Sequence, residues 1–197
     1  MADNKTIGDF IQTFMPWPAP GENDRIRLHT LVRIRWVAVA GQLFSLVLIH
    51  FSLGYHLPMA PTLAVVAASG LLNLVVTRKR SSQVWLGDRE AAAHLALDIV
   101  QLSLLLYFTG GLINPFALLI MAPITVSATT LSRRSTLMLG LLSIASISAL
   151  AFWHFPLPLP PGVLDLPFIY IAGMWASLVL TIVLLATYNW YLAESGR

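Results

Sequence analysis

Six long apolar runs, separated by short segments rich in proline, glycine or charge, constrain this chain more than any other feature. The runs occupy residues 33–53, 59–77, 91–109, 115–131, 135–155 and 167–191. A membrane-spanning helix needs about 20 predominantly apolar residues, and each run is close to that length. Of all residues, 57% are hydrophobic and only 11% are charged, whereas a soluble domain carries about 25% charged residues. The sequence therefore predicts an all-α, polytopic membrane protein with a bundle of six transmembrane helices.

The positions of the basic residues predict the orientation of the bundle. With six spans, all twelve Lys and Arg residues fall on one side of the membrane, and the loops between helices 1 and 2, 3 and 4, and 5 and 6 contain none. Because Lys and Arg are retained on the cytoplasmic side, both termini are predicted to be cytoplasmic. The positions of these charges matter more than the net charge of +3, and we expect membrane lipids, not nucleic acid, as partners.

The chain divides into three predicted regions. Residues 1–30 form a cytoplasmic arm with four apolar residues on one helical face. These are Ile7, Phe10, Ile11 and Phe14. A short amphipathic helix on the membrane surface fits this pattern, and so does a disordered tail that folds only on contact. Residues 31–191 form the six-helix transmembrane domain, and residues 192–197 begin a cytoplasmic linker.

Three residues of the third apolar run form a possible intramembrane polar site. His94, Asp98 and Gln101 share one helical face, because residues three and four apart are neighbours on a helix. They could line a proton or ion path, or they could hydrogen-bond a neighbouring helix near the cytoplasmic end. Ionisable pairs serve either purpose, and the structural interpretation is favoured here.

The absence of cysteine excludes disulfides, thiolate metal sites and thiol redox switches within these residues. The sequence also contains no Walker A motif, Gly-rich dinucleotide loop, H-E-x-x-H motif or nucleophile elbow. We therefore predict no catalytic residue and no metal site in this chain.

The segment GGLINPF lies between the third and fourth apolar runs and has the composition of a helix–turn–helix loop. Gly110 can end helix 3 with a positive φ, Asn114 can cap helix 4, and Pro115 suits the first helical position. Turn chemistry requires neither the second glycine, Gly111, nor the aromatic ring of Phe116.

The same segment has the properties of a binding site for a flat ligand. Glycines let a ligand approach the backbone, and the start of helix 4 offers free N–H groups. Asn114 carries two amide donors, and Phe116 offers a ring face for stacking. A quinone has two carbonyl acceptors on a flat ring and an isoprenoid tail that belongs in lipid, and it fits this description.

The segment resembles a family motif. Its residues match the G-G-x-x-N-P-F heptapeptide of the RegB/PrrB-type redox-sensing histidine kinases, which in that family lies in the short periplasmic loop between the third and fourth of six transmembrane helices. The charge-based topology predicts the same location for residues 110–116. RIRW at 33–36 and ALLIMAPITVSATTLS at 117–132 are also similar, so the resemblance extends over essentially the whole chain.

The resemblance implies a function. The chain is expected to be the membrane sensor part of a two-component kinase in the bacterial inner membrane, which reads the redox state of the ubiquinone pool. The residues carried over for binding ubiquinone or ubiquinol are Gly110, Gly111, Asn114, Pro115 and Phe116. A homodimer is also expected, as is a cognate response regulator that is reached through a cytosolic region.

The resemblance further implies that this chain is not itself an enzyme. The family's phosphoacceptor histidine, redox cysteine and ATP-binding domain are expected beyond Arg197. Which quinone form binds more tightly is left open. Whether His56, His154 or Asp165 exchanges protons with the ligand is also left open.

Three other classes of function remain as alternatives. A small proton- or ion-coupled transporter would use His94 and Asp98. An integral-membrane quinone oxidoreductase would need an electron-donor site, for which the sequence offers no cysteine or flavin motif. A structural membrane scaffold for a cytosolic domain would bind no ligand.

Overall fold

The computed structural model describes residues 26–52, 57–79, 85–156 and 168–195, and six helices account for nearly all of them. In chain order these helices are α1 (Leu28–Val47, continued by a π turn at Leu48–Ser52), α2 (Met59–Lys79), α3 (Asp88–Phe108), α4 (Met121–Thr130, preceded by a 3₁₀ segment at Pro115–Ile120), α5 (Arg133–Phe152) and α6 (Phe168–Ser195). Each helix coincides with one predicted apolar run. The all-α fold class is therefore confirmed.

Five of these helices, α1, α2, α3, α5 and α6, are long and apolar enough to cross a membrane. The fourth is shorter, with 6 residues in the 3₁₀ segment and 10 in α4. At rises of about 2.0 and 1.5 Å per residue, the two parts together extend about 27 Å, close to the roughly 30 Å thickness of a hydrocarbon core. The count of six spans stays a prediction.

A two-stranded antiparallel sheet is the exception to the helical fold among the described residues. β1 (Ile26–Arg27) pairs with β2 (Trp85–Leu86), so the start of α1 is held against the connection between α2 and α3. Helix α1 begins directly after β1, at Leu28, ahead of the start predicted at residue 33. The amphipathic helix predicted for the N-terminal arm lies outside the described residues.

Helix α3 lies at the centre of the bundle. It packs against α2 on one side and against α4 and α5 on the other, while α1 packs against α2 and α6 packs against α4 and α5. Buried residues recur at intervals of three and four, the spacing of one helical face. In α1 they are Leu28, Leu31, Arg35, Val39, Gln42 and Leu46. Two polar side chains, Arg35 and Gln42, therefore lie in the same buried stripe as the leucines.

Helix α6 is largely exposed. Among its described side chains only Leu178 and Ile182 are buried, and apolar residues such as Ile169 and Leu184 face outward, as suits a lipid environment. The helix continues to Ser195. The first four residues of the predicted linker are therefore helical.

At the basic end of the bundle, marked by Arg133 and Arg134 at the start of α5, one carboxylate joins two helices. Asp88, the first residue of α3, accepts hydrogen bonds from Ser132 N at 2.6 Å, Ser132 Oγ at 2.8 Å and Ser135 Oγ at 2.6 Å. Ser132 also caps α5, because its Oγ accepts from Ser135 N at 3.3 Å. The first turns of α3 and α5 are thereby joined.

Candidate functional site

Both glycines of the loop between α3 and α4 adopt positive φ angles. Gly110 has φ 104° and ψ 14°, and Gly111 has φ 58°, a region that residues with a Cβ rarely enter. The chain can therefore leave α3 at Thr109 and form a short 3₁₀ turn at Gly111–Ile113. The prediction that Gly110 ends the third helix with a positive φ is confirmed.

Asn114 caps the fourth helix, as predicted. Its Oδ1 accepts a hydrogen bond from Phe116 N at 2.9 Å, and Pro115 occupies the first helical position. Its Nδ2 donates to the carbonyl oxygen of Thr109 at 3.0 Å and to Thr109 Oγ1 at 2.8 Å. Asn114 is buried, and its amide hydrogens are used within the loop. In this arrangement Asn114 holds the loop together and has no amide hydrogen left for a ligand.

The need for a glycine at position 111 is explained by a histidine from another part of the chain. A Cβ on Gly111 would lie 2.6 Å from Cγ and Cδ2 of His154, far inside van der Waals contact. His154 is held there by the next residue, because Phe155 N donates to the carbonyl oxygen of Tyr107 at 2.8 Å. The Phe155 ring also packs edge-on against Tyr107, with ring centroids 5.4 Å apart. The loop therefore has an imidazole ring seated directly on its backbone.

Phe116 is the aromatic residue of the loop that faces outward. Its side chain is 40% exposed, which leaves a ring surface available beside the lipid.

At the same end of α5 and α6, a groove of about 190 Å³ is lined by apolar residues that include Phe152 and Trp175. Trp175 Nε1 donates to Ser148 Oγ at 3.0 Å. The loop itself contacts both α5 and α6. These two helices run from the loop to the basic end of the bundle.

The predicted polar residues of α3 contact α1. Asp98 Oδ1 lies 2.7 Å from Nε of Arg35, and Arg35 Nη2 donates to the carbonyl oxygen of His94 at 3.0 Å. Farther along the helices, Gln101 Nε2 donates to Gln42 Oε1 at 2.9 Å. Arg35 is only 6% exposed and Gln42 only 7%. These side chains form a polar contact between two helices, separate from the 110–116 loop.

Arg35 and His154 carry little sequence signal for the contacts they make. If helix 1 began at residue 33, Arg35 would lie at its cytoplasmic end and would indicate only the orientation of the helix. With α1 beginning at Leu28, it lies seven residues, or about 10 Å, inside the helix. Arg35 and Gln42 are seven residues apart, which puts both on one helical face. That spacing could have indicated a shared polar contact. No local pattern indicates that His154 meets Gly111.

Comparison with known proteins gives two similar sequences. The chain is 41% identical over 164 residues to a sensor histidine kinase RegB of Cereibacter sphaeroides, and the match covers 83% of this chain and 36% of the relative. A second sensor histidine kinase RegB, from a defined strain of the same species, is 41% identical over 80 residues, which are 41% of this chain and 17% of that relative. No protein-family model matches the chain, and no solved structure matches it significantly.

The fold is that of a multi-pass membrane domain. Its apolar helices are long enough to cross a membrane, they pack around a central α3, and a buried, capped loop joins α3 to α4. Its relatives are longer proteins, of which the chain spans about a third, 36% in the more extensive match. The chain belongs to the RegB-type sensor histidine kinases, as a fragment that contains a membrane sensor domain. The inner membrane is the location that its apolar helices and its family indicate.

Proposed function

We propose that this domain binds ubiquinone or ubiquinol at the 110–116 loop and signals the redox state of the ubiquinone pool to a cytosolic kinase region. The observation that carries the proposal is the imidazole ring of His154 seated on Gly111, in a loop that also exposes the ring of Phe116. The relatives are sensor histidine kinases, which supports the sensing role.

The polar group best suited to tell the two redox forms apart is His154. Its Nδ1 lies 3.1 Å from the carbonyl oxygen of Phe155. When Nδ1 carries the proton and donates there, Nε2 holds a lone pair. A quinol hydroxyl can donate to that lone pair, whereas a quinone carbonyl has no hydrogen to give. In this proposal Phe116 supplies stacking, and Asn114 fixes the loop by its bonds to Thr109.

In the proposed topology the chain crosses the membrane six times and both termini are cytoplasmic. The location of Arg133, Arg134 and the other described basic residues supports this orientation, because Lys and Arg are retained on the cytoplasmic side. The 27 Å reach estimated for the fourth helix is compatible with a sixth span. The 110–116 loop then lies at the periplasmic interface, where a quinone ring can stay at the surface and its tail can enter lipid.

Helix α6 is the proposed output element. The loop contacts α5 and α6, and α6 runs as one helix from Phe168 to Ser195. A ligand shifts an equilibrium between two helix arrangements only by binding them with different affinity. Binding at the loop would therefore bias the position of α6, and the exposed apolar face of α6 would support signalling within a homodimer.

The activity of the whole protein is also a proposal, since the chain covers only part of its relatives. The longer protein would autophosphorylate on a histidine in its cytosolic region and pass the phosphoryl group to a response regulator. The membrane fragment would bind the ligand without catalysing a reaction.

A transporter built on His94 and Asp98 is less favoured. The Asp98 carboxylate is engaged by Arg35 at 2.7 Å, and the neighbouring Gln101 amide by Gln42. Groups that relay protons or ions need partners they can exchange, whereas these side chains pair with one another across a helix interface. Liposomes containing the chain are expected to show no Asp98-dependent proton flux.

The quinone proposal is tested by measuring ubiquinone and ubiquinol binding to the chain in lipid nanodiscs. We expect Phe116→Ala to weaken the binding of both forms, and His154→Ala to weaken the binding of ubiquinol, by about tenfold, on the scale of one lost stacking or hydrogen-bonding contact. His154→Ala should affect ubiquinol more strongly than ubiquinone, because only the quinol can donate to Nε2.

Leu119→Ala is the matched control, because Leu119 is also exposed on the 3₁₀ segment and has no proposed role. Saturable binding that is unchanged in both test variants, or non-saturable partitioning of the quinone into every sample, would reject the site. Asn114→Ala is a poor test, because losing a buried cap disturbs the loop whether or not a quinone binds there.

A further inference from the structure

A groove lies between α5 and α6 at the basic end of the bundle, away from the 110–116 loop. Its volume is about 380 Å³, roughly twice that of the groove beside Trp175. Its apolar walls come from both helices and include Leu137, Leu141, Ile144, Ile182, Val183 and Ala186. Leu137 and Leu141 are exposed, so the groove opens on the lipid-facing side of the bundle.

Apart from the two arginines at its end, the groove offers mainly hydrocarbon contacts, and its two threonine hydroxyl protons are already used. Gly140 forms part of the lining, and a Cβ there would lie 3.4 Å from Cγ2 of Ile182, so the missing side chain contributes to the space. The hydroxyls of Thr136 and Thr187 are already used, because they donate to the carbonyl oxygens of Ser127 at 3.0 Å and Val183 at 2.9 Å. A flexible acyl chain fits such a lining, whereas an extended peptide would leave its backbone groups unsatisfied.

Two arginines stand at one end of the groove. Arg133 and Arg134 both contribute to its lining; the first is half-buried and the second is exposed. The start of α5 is already capped by Ser132 and bound by the Asp88 carboxylate, so the guanidinium groups, not the helix terminus, provide the attraction for an anion. Guanidinium groups bind phosphate oxygens with paired hydrogen bonds.

We propose that this groove is a binding site for an anionic phospholipid. One acyl chain lies between α5 and α6, and the phosphate lies against Arg133 and Arg134. A zwitterionic lipid would offer the same chain without the net negative charge, so the two arginines make the site selective. A bound lipid would contact α6 directly, at the end opposite the 110–116 loop. The site does not depend on the quinone proposal.

The test measures how strongly spin-labelled phosphatidylglycerol and phosphatidylcholine are immobilised by the chain in phosphatidylcholine vesicles. For the unaltered chain we expect a preference for phosphatidylglycerol on the order of tenfold, from two arginines near the membrane surface. The double variant Arg133→Gln/Arg134→Gln should lose most of that preference. Arg33→Gln/Arg89→Gln removes the same charge from two exposed arginines outside the groove and should keep it.

A second pair of variants tests the acyl-chain part of the site. Ala186→Phe fills the groove and should abolish immobilisation of both lipids there, whereas Ala176→Phe, on the exposed face of α6 outside the groove, should not. Inorganic phosphate added to the vesicles separates a lipid site from a free-anion site. The proposal is overturned if the two double variants lose the preference equally, if Ala186→Phe retains the bound lipid, or if inorganic phosphate displaces phosphatidylglycerol completely.

Discussion

At the scale of single residues, Gly111 is where the loop tolerates least change. An added Cβ would meet the His154 ring at 2.6 Å, and the backbone φ of 58° is itself unfavourable for a side chain. We therefore expect Gly111→Ala to lower the free energy of unfolding by roughly 2 kcal/mol. The shift in the midpoint of thermal unfolding in detergent measures this effect.

Gly173→Ala is the control for this change, because a Cβ on Gly173 meets nothing within 4 Å and alanine is the better helix former. It should leave the midpoint unchanged or raise it slightly. The double variant Gly111→Ala/His154→Ala should recover the stability lost through the clash with the imidazole ring. It should not recover the stability lost because alanine is strained at the positive φ of position 111. A midpoint for Gly111→Ala equal to that of the unaltered chain would contradict the close approach of His154.

The pair of Arg35 and Asp98 makes a second prediction at this scale. Asp98→Asn leaves the guanidinium of Arg35 buried without its counter-charge, and removing one partner of a buried pair is more harmful than removing both. We expect a loss of about 3 kcal/mol for Asp98→Asn. Thermal unfolding of the purified chain should show a clear decrease for this variant.

The double variant Arg35→Gln/Asp98→Asn tests the reason for that loss. Two neutral amides can hydrogen-bond each other, so the double variant should be more stable than Asp98→Asn alone. Arg33→Gln, which alters an exposed arginine two residues away, should have little effect. Additive losses in the double variant would show that Arg35 and Asp98 do not interact.

At the scale of the helices, Asp88 joins the first turns of α3 and α5. Its carboxylate accepts three hydrogen bonds from Ser132 and Ser135, and bonds to a charged group contribute more than neutral ones. We expect Asp88→Ala to lower the free energy of unfolding by roughly 2 kcal/mol. Faster hydrogen exchange at the start of α5 should accompany the loss.

Ser135→Ala provides the comparison for Asp88→Ala. It removes one of the three hydrogen bonds and the donor hydroxyl together, so no buried donor is stranded. The predicted effect is less than half that of Asp88→Ala. Equal effects would mean that the carboxylate contributes through Ser135 alone.

The fourth helix shows the limit of hydropathy as a guide to local form. The apolar run at 115–131 predicts one helix, and the structure has one, but its first six residues are 3₁₀ and only Met121–Thr130 is α-helical. The Asn114 cap and Pro115 are consistent with a helix beginning at that point. Nothing in the apolar pattern distinguishes the two windings, since residues 115–120 are apolar at every position.

Across the molecule as a whole, the features that could be predicted are those that depend on short stretches of sequence. Apolar length located the helices, as with 59–77 for Met59–Lys79, and turn chemistry located the cap at Asn114. The contacts of Arg35 with Asp98 and of His154 with Gly111 depend on which helices pack together. Hydropathy does not encode that choice, because every apolar face is equally suited to lipid or to another helix.

The internal hydrogen bonds of the loop between α3 and α4 have a consequence for biogenesis. In the proposed orientation this loop has to be carried through the bilayer while the protein is being made. An unpaired amide would resist that passage, but the Asn114 side chain is satisfied by Thr109 and Phe116, and residues 109–132 contain no charge. The helices α3 and α4 can therefore enter the membrane together as a hairpin, led by a turn that carries its own hydrogen-bond partners.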